Sequence, residues 1–284
     1  MIGLAALLAY AVAYLIRVRA LARRGRPVPA WRAGCLLAGL TVLAVAAGPL
    51  VDGAADRRMT LHMAEHLAIT DVAAPLLVLG LTGPVLAPLL RVHPIGALRA
   101  LGHPLVALPL WAALLLAWHV PTAYDAAVRH DVAHVAQHAC FLFAGIVLWT
   151  PLLGPFPRPA WFGAGAQLAY ATAARIVAAA LGNLLVWSGT ALYASYSDLG
   201  DQAAAGALML LEESVVMLAI SSWLALRWIR AAGERQELAE LAAARGVEID
   251  ERRVARAVAA GRGGELRRRL ATSAAVVGRA PADR

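Results

Sequence analysis

Long apolar runs, separated by short segments that contain Arg, Pro and Gly, dominate the first four fifths of the chain. A helix of about 20 apolar residues is long enough to cross the hydrocarbon core of a bilayer. Seven runs approach or exceed that length, and they cover residues 2–20, 33–51, 60–81, 104–120, 132–152, 165–192 and 203–228. The pattern predicts an all-α, polytopic membrane protein with seven transmembrane helices.

The pattern changes after residue 230, where charged residues alternate with Ala and Leu. Such alternation is typical of amphipathic helices at a surface. We therefore predict a seven-span transmembrane domain over 1–230 and a charged, helical tail over 231–284. The run Arg267-Arg268-Arg269 suits anionic lipid headgroups, and a solvated tail that helps to set topology explains it equally well.

The distribution of arginine predicts the orientation. All 26 basic residues are Arg. If the N-terminus lies outside, the inner segments hold 22 of them, the outer loops hold three, and Arg175 lies within a span. Because positive residues accumulate on the cytoplasmic side, we expect the N-terminus outside and the C-terminus in the cytoplasm.

Composition argues against three classes of protein: soluble domains, nucleic-acid binders and cysteine-based metal carriers. A hydrophobic fraction of 61% and a mean hydropathy of +0.65 exclude an ordinary soluble domain. The net charge of +8 comes from arginines beside the spans and the sequence has no nucleic-acid motif, so we expect the bilayer as partner and no nucleic acid. Cys35 and Cys140 lie within apolar runs and outside any CxxC motif, which argues against a cysteine-based metal carrier.

Two histidine pairs carry the main chemical signal. His62 and His66 begin the third span, and His134 and His138 begin the fifth. Residues four apart share one face of a helix, so each pair aims two imidazoles at one region. Both pairs enter from the same side at equal depth, and polar groups inside a bilayer are costly unless they have a function. We therefore expect the pairs to face each other and to bind a metal.

Further candidate ligands lie at the same outer level. His119 ends the fourth span, and Asp201 opens the seventh, with Met209 two turns deeper. Met59 and Met63 flank the first histidine pair, and a thioether beside imidazoles favours a soft ion such as Cu(I). Helix packing is the alternative role for each methionine, and a hydrogen bond between helices is the alternative for His119.

A deeper set of charges accompanies this layer. Arg175 lies inside the sixth span, and Glu212 and Glu213 lie inside the seventh. We therefore expect an ion pair of Arg175 with Glu213, or alternatively with Glu212. That pair is either structural or linked to proton movement. Asp71 lies about 140° from His66 on a regular helix, which argues against a shared ligand role.

Two other chemistries use the same histidines. His62-Met63-Ala64-Glu65-His66 fits the H-x-x-E-H pattern of inverted zinc peptidases, in which Glu65 would be the general base. A membrane metalloenzyme, either a zinc hydrolase or a di-metal oxidase, is therefore the main alternative. Haem held by two histidines of the third and fifth spans is another.

Four stretches, in order along the chain, carry a family signature. They are Met59-x-x-His62-Met63-x-x-His66-Leu67, Trp118-His119-x-Pro121-x-x-Tyr124-Asp125, His134-x-x-x-His138-x-x-Phe141-Leu142 and Asp201-Gln202-x-x-x-Gly206-x-x-Met209. Together they resemble the CtaG family of polytopic cytochrome c oxidase assembly factors, over about residues 59–230.

The resemblance implies seven spans, a bacterial plasma membrane location, and a non-enzymatic role in maturing a haem–copper oxidase, whose subunits would be partners. It implies copper as the metal that is bound and delivered. The methionines favour Cu(I) as its form, and zinc and haem stay alternatives from the residue patterns above. The ligand positions that it implies are His62, His66, His119, His134 and His138, with Asp125, Asp201 and Met209 as secondary ligands. Acids at Glu212 and Glu213 depart from the usual family pattern.

Overall fold

A computed structural model describes residues 2–48, 51, 53, 55, 57–92, 100–259 and 262–277. Over these residues the chain is helical and contains no β-strand, so the all-α prediction is confirmed there. The chain forms two compact units, Met1–Leu218 and Ala219–Arg284. The predicted functional division at residue 230 stays a prediction.

The helices follow the predicted apolar runs. The described helices of the first unit are α1 (Ile2–Arg23), α2 (Ala30–Ala46), α3 (Met59–Gly80), α4 (Gly83–Leu86), α5 (Pro104–Trp118), α6 (Pro121–Arg129), α7 (Asp131–Leu153) and α8 (Ala164–Trp187). Helix α9 (Leu199–Ala244) follows, and α10 (Glu251–Ala259) and α11 (Gly263–Val277) belong to the second unit.

Five of the described helices, α1, α3, α7, α8 and α9, are long and apolar enough to cross a membrane. Helices α5 and α6 make a sixth candidate if the pair, bent by 68°, is one span. Helix α2 is apolar but has only 17 residues, and the end of its predicted run falls on residues 49 and 50, outside the described ranges. These helices support a polytopic membrane protein. The count of seven spans and the orientation stay predictions.

Helix α3 contains a π-helical turn, Ala68–Ala73, directly before Pro75. Proline cannot donate a backbone hydrogen bond, and its ring crowds the carbonyl one turn earlier. The wider π-helical turn relieves that crowding. Its hydrogen bonds join residues five apart instead of four apart. Trp149 of α7 donates its indole N–H to the carbonyl of Thr70 at 3.0 Å, so the altered turn is fixed by the neighbouring helix.

Close helix contacts at small residues hold α3 in the middle of the first unit. A Cβ atom on Gly80 would lie 2.4 Å from Leu36 of α2, and one on Gly145 of α7 would lie 2.8 Å from the Thr70 carbonyl. Small residues at such positions let helix backbones approach closely within a membrane. Helices α2 and α7 therefore pack against α3, and α7 carries the second histidine pair.

The break between α5 and α6 places His119 at a corner. Val120 is extended before Pro121, which begins α6, as expected because the residue before proline is biased away from helical geometry. His119 is the residue directly after α5 and caps its C-terminal end. Its side chain reaches back to the carbonyl of Leu115 in the last turn.

The second unit has its own small apolar core. Helices α10 and α11 contribute to it together with the later part of α9, and its buried residues are Leu238, Ala242, Val254, Val258 and Leu270. The candidate ligands described next all belong to the first unit.

Candidate metal centre

The two predicted histidine pairs face each other across α3 and α7. The ring centroids of His62 and His134 are 5.4 Å apart, and those of His66 and His138 are 5.5 Å apart. Within each pair the centroids lie 4.3 Å and 4.2 Å apart, as expected for residues one helical turn apart. We call these four residues the histidine layer.

Glu65 joins this layer. One donor atom each from His62, Glu65 and His134 lie within 4.8 Å of one another. A carboxylate oxygen of Glu65 is also 3.6 Å from Nε2 of His138. The sequence suggested Glu65 only as a base in a peptidase motif. Its position three residues after His62, on the same helix face, was the signal that it belongs with the histidines.

The layer is buried on α3 and partly buried on α7, where His134 and His138 lie, and part of its hydrogen-bonding capacity is unused. His62, Glu65 and His66 are almost fully buried. Among the described residues, neither ring nitrogen of His66 nor Nε2 of His134 has a hydrogen-bond partner. Buried polar atoms are nearly always paired in proteins. An imidazole nitrogen with a free lone pair is able to coordinate a metal ion.

His119 is prepared for coordination by its own helix. Its Nδ1 lies 2.7 Å from the carbonyl oxygen of Leu115. A carbonyl oxygen only accepts, so Nδ1 carries the proton and Nε2 presents its lone pair. That Nε2 is buried and has no partner in the described part of the chain. A hydrogen bond from one ring nitrogen to a carbonyl is how proteins commonly orient metal-binding histidines.

A small cavity lies directly beneath the histidine layer. Its volume is about 30 Å³. The side chains in its wall that bear on metal binding are Met63, His66, Asp71, His119, Met209 and Glu213. Asp71 and His66 line the same cavity, contrary to the separation expected for a regular helix, because the π-helical turn begins between them. The structure thus brings the predicted His119, Met63 and Met209 together with His66.

The loop of residues 188–198 covers the outer side of the layer. Tyr193 stacks on Tyr124 with centroids 4.0 Å apart, and Tyr124 in turn lies 5.1 Å from His62. Tyr193 donates its hydroxyl to the carbonyl of His119 at 3.1 Å. Burial raises the pKa of Tyr193, so its hydroxyl remains protonated and able to donate. The aromatic cover separates the histidines from the surface.

The two predicted aspartate ligands are engaged elsewhere. Asp201 accepts hydrogen bonds from the backbone N–H groups of Met59 and Thr60 and from the Thr60 hydroxyl, so it caps the start of α3. Asp125 accepts from two N–H groups of the covering loop, at 3.1 and 2.8 Å. Met59 is fully buried at the first turn of α3. Metal ligation by these three residues stays a prediction.

The deeper charges form a network of three acids around one base. Arg175 lies 3.0 Å from Glu213, 3.3 Å from Asp71 and 3.6 Å from Glu212. The expected pairing of Arg175 with the glutamates is present, and Asp71 extends it. Asp71 and Glu213 also line the cavity, so the network forms its deeper wall.

The fold and this centre define a helical membrane protein with a buried, histidine-rich cluster between its helices. Residues 12–231 match the family model of the cytochrome c oxidase caa3 assembly factor. The chain belongs to that family, and the resemblance noted in its motifs is confirmed.

Two curated relatives are similar over part of their length. These are the uncharacterized proteins Mb0105 of Mycobacterium bovis and MT0111 of Mycobacterium tuberculosis, each 29% identical over 168 residues. The alignment covers 52% of this chain but only 25% of each relative, so the chain spans about a quarter of their length. No solved structure is significantly similar to this chain.

Proposed function

We propose that this protein binds copper among the histidines of α3 and α7 and passes it to a haem–copper oxidase during assembly. In this proposal it acts in the bacterial plasma membrane, with the histidine layer toward the outer surface and the C-terminus in the cytoplasm. It is a metal-handling assembly factor and not an enzyme. Oxidase subunits are its partners.

The single observation that carries the proposal is the buried, incompletely paired histidine layer. Imidazole and thioether donors bind copper well, and neutral donors suit Cu(I) in an apolar site. Membership in an oxidase assembly family supplies the recipient. The arginine asymmetry supports an outward site, since 22 arginines would then lie on the inner side.

A zinc hydrolase is the second candidate, because Glu65 lies within the histidine layer, 3.6 Å from His138. A hydrolase needs room for a substrate beside the metal. Among the described residues, the cavity that borders the layer holds only about 30 Å³, which is one or two water molecules. Haem meets the same difficulty, since Tyr124 and Phe141 pack against the histidine rings. The available space favours a bare ion as the cargo.

The test replaces His66 and His138 together with Ala in cells that express the oxidase. We expect near-normal levels of the protein in membranes, while oxidase activity and the copper content of purified oxidase fall. Haem content and subunit levels should change less. The matched control is His130→Ala, since His130 is exposed at the end of α6 and lies away from the layer. Full copper occupancy of the oxidase in the double variant would refute copper delivery and leave a scaffold role.

A further inference from the structure

The candidate ligands divide into two groups with different chemistry. We propose, on the basis of the copper role above, that the cavity beneath the histidine layer is a separate site for monovalent copper, distinct from an outer position that takes a divalent ion. The inner site is formed by Met63, His66, His119 and Met209. The outer position is formed by His62, Glu65 and His134.

The outer position combines two imidazoles with a carboxylate. Its three donor atoms lie within 4.8 Å of one another. Ligands of one first-row ion at about 2.0–2.2 Å lie somewhat closer together than that, so a small closing movement of the side chains completes the site. Nitrogen and carboxylate donors favour Zn²⁺ or Cu²⁺ over Cu(I). Glu65 is thus the residue that gives this position its preference for divalent ions.

The inner site combines two imidazoles with two thioethers. Met63 and Met209 are nearly fully buried, and both line the cavity with His66 and His119. Its volume of about 30 Å³ holds an ion and leaves no space for a hydration shell. Thioether sulfur selects Cu(I) among biological first-row ions. Phe141 and Trp111 complete the wall with apolar surface.

The orientation of the two inner histidines supports the assignment. Both nitrogens of His66 lack a partner within the described ranges, and the Leu115 carbonyl directs the lone pair of His119 Nε2 away from its own helix turn. Both residues line the cavity. Burying imidazole nitrogens without a partner costs free energy, and a metal ion in the cavity would compensate that cost.

One turn of α3 separates the two sites and explains how one helix serves both. His62 and Glu65 are three residues apart and share one face, and Met63 and His66 share the neighbouring face. His66 follows His62 by four residues, which is about 6 Å along the helix axis. The ring centroids of the two histidines are 4.3 Å apart, so the two ligand sets are neighbours on one helix.

The deeper wall of the cavity is polar. Asp71 and Glu213 line the cavity, and with Glu212 they surround the guanidinium of Arg175. Carboxyl oxygens therefore border the deeper side of the cavity, and the apolar rings of Trp111 and Phe141 lie elsewhere in its wall.

The test uses the full-length protein in detergent and two metal probes. Ag⁺ reports the soft site because it resembles Cu(I) and does not change oxidation state, and Co²⁺ reports the divalent position through its visible spectrum. X-ray absorption of the Cu(I)-loaded protein should contain sulfur scattering. The inner variant is Met63→Leu with Met209→Leu, a nearly volume-conserving change. The outer variant is Glu65→Gln with His134→Ala.

We expect the inner variant to weaken Ag⁺ binding about tenfold or more, to lose the sulfur scattering, and to leave Co²⁺ binding unchanged. The outer variant should show the reverse pattern. Met217→Leu is the matched control, since Met217 lies on the same helix but outside the cavity, and it should change neither probe. If both variants weaken both probes, or if wild-type Cu(I) shows no sulfur neighbour, the two-site arrangement is wrong.

These binding measurements are independent of oxidase assembly. Separate responses of Ag⁺ and Co²⁺, combined with full copper in the oxidase of the His66/His138 double variant, would support the two sites and refute delivery. If each variant instead weakens both Ag⁺ and Co²⁺ binding, and the oxidase of the double variant loses copper, delivery is supported and the two sites are refuted.

Discussion

Two buried polar groups lie next to each other in the first unit, and they differ in whether ion pairs within the protein compensate them. The guanidinium of Arg175 lies within 3.0–3.6 Å of three carboxylates. In the histidine layer, by contrast, both nitrogens of His66 are without a hydrogen-bond partner among the described residues. The first group is compensated by ion pairs within the protein, although Nε and Nη1 of Arg175 make no hydrogen bond among the described residues, whereas His66 has neither kind of partner there.

The difference separates structural polar groups from binding groups. Burying a polar group costs free energy unless a partner compensates it. Ion pairs supply that compensation around Arg175, so the network can persist without any ligand. Some nitrogens of the histidine layer, including both of His66, lack such compensation among the described residues. A bound metal ion would supply it. Substitutions in the two groups should therefore have opposite signatures, with a large effect on stability in the first and a large effect on metal binding in the second.

The largest effect on stability should come from Arg175→Met. This change leaves three acids buried without their cation, and breaking a buried charge pair costs about 3–5 kcal/mol. We expect a clear fall in the unfolding temperature in detergent and less protein in membranes. Arg129→Met is the control, because Arg129 forms an exposed pair with Asp125 at 4.0 Å and should cost less than about 1 kcal/mol.

Neutralising the acids in the Arg175→Met background provides a second check. Asp71→Asn, Glu212→Gln and Glu213→Gln together should restore much of the lost stability, because no uncompensated charge then remains. Equal unfolding temperatures for Arg175→Met and Arg129→Met would contradict the structural role of the network.

Helical periodicity and hydropathy predicted most of the frame in which these groups lie. Each of the seven apolar runs contains a helix among the described residues, and the i, i+4 spacing predicted which histidines share a face. The π-helical turn at Ala68–Ala73 was not predictable from that spacing, because it also depends on support from Trp149 of another helix. This turn is the reason that Asp71 reaches the cavity wall.

The hydrogen bonds of Asp201 and Asp125 were not predictable from the sequence for a similar reason. Asp201 caps α3 from a position about 140 residues later in the chain, with Thr60 as a partner at a separation of 141. Asp125 holds the covering loop from a separation of 69–70 residues. A carboxylate near histidines is predicted as a ligand from the sequence, and for both aspartates that stays a prediction. The folded chain adds the hydrogen bonds that these carboxylates accept from backbone N–H groups.

An intermediate loss of stability should follow from Asp201→Ala. The start of α3 loses its acceptor for two backbone N–H groups and a hydroxyl, and loss of a helix cap costs about 0.5–2 kcal/mol. Asp201→Asn keeps one oxygen acceptor and should cost less. Both variants should bind metal with unchanged stoichiometry. A lower metal content at an unchanged unfolding temperature would instead make Asp201 a ligand.

The smallest effect on the metal-free protein should come from His66→Leu, although His66 is as deeply buried as Arg175. Replacing an imidazole that has no partner with an apolar side chain removes a desolvation cost, so metal-free stability should change by no more than about 1 kcal/mol in either direction.

The stabilisation of the protein by added metal should change far more in His66→Leu. A ligand at 100 times its dissociation constant stabilises the folded state by about 2.7 kcal/mol, and His66→Leu should lose most of the corresponding rise in unfolding temperature on adding Cu(I) or Ag⁺. The exposed His130→Leu should keep that rise. If His66→Leu instead destabilises the metal-free protein as strongly as Arg175→Met, then the histidine layer is a structural polar core, and the contrast between the two groups does not mark a binding site.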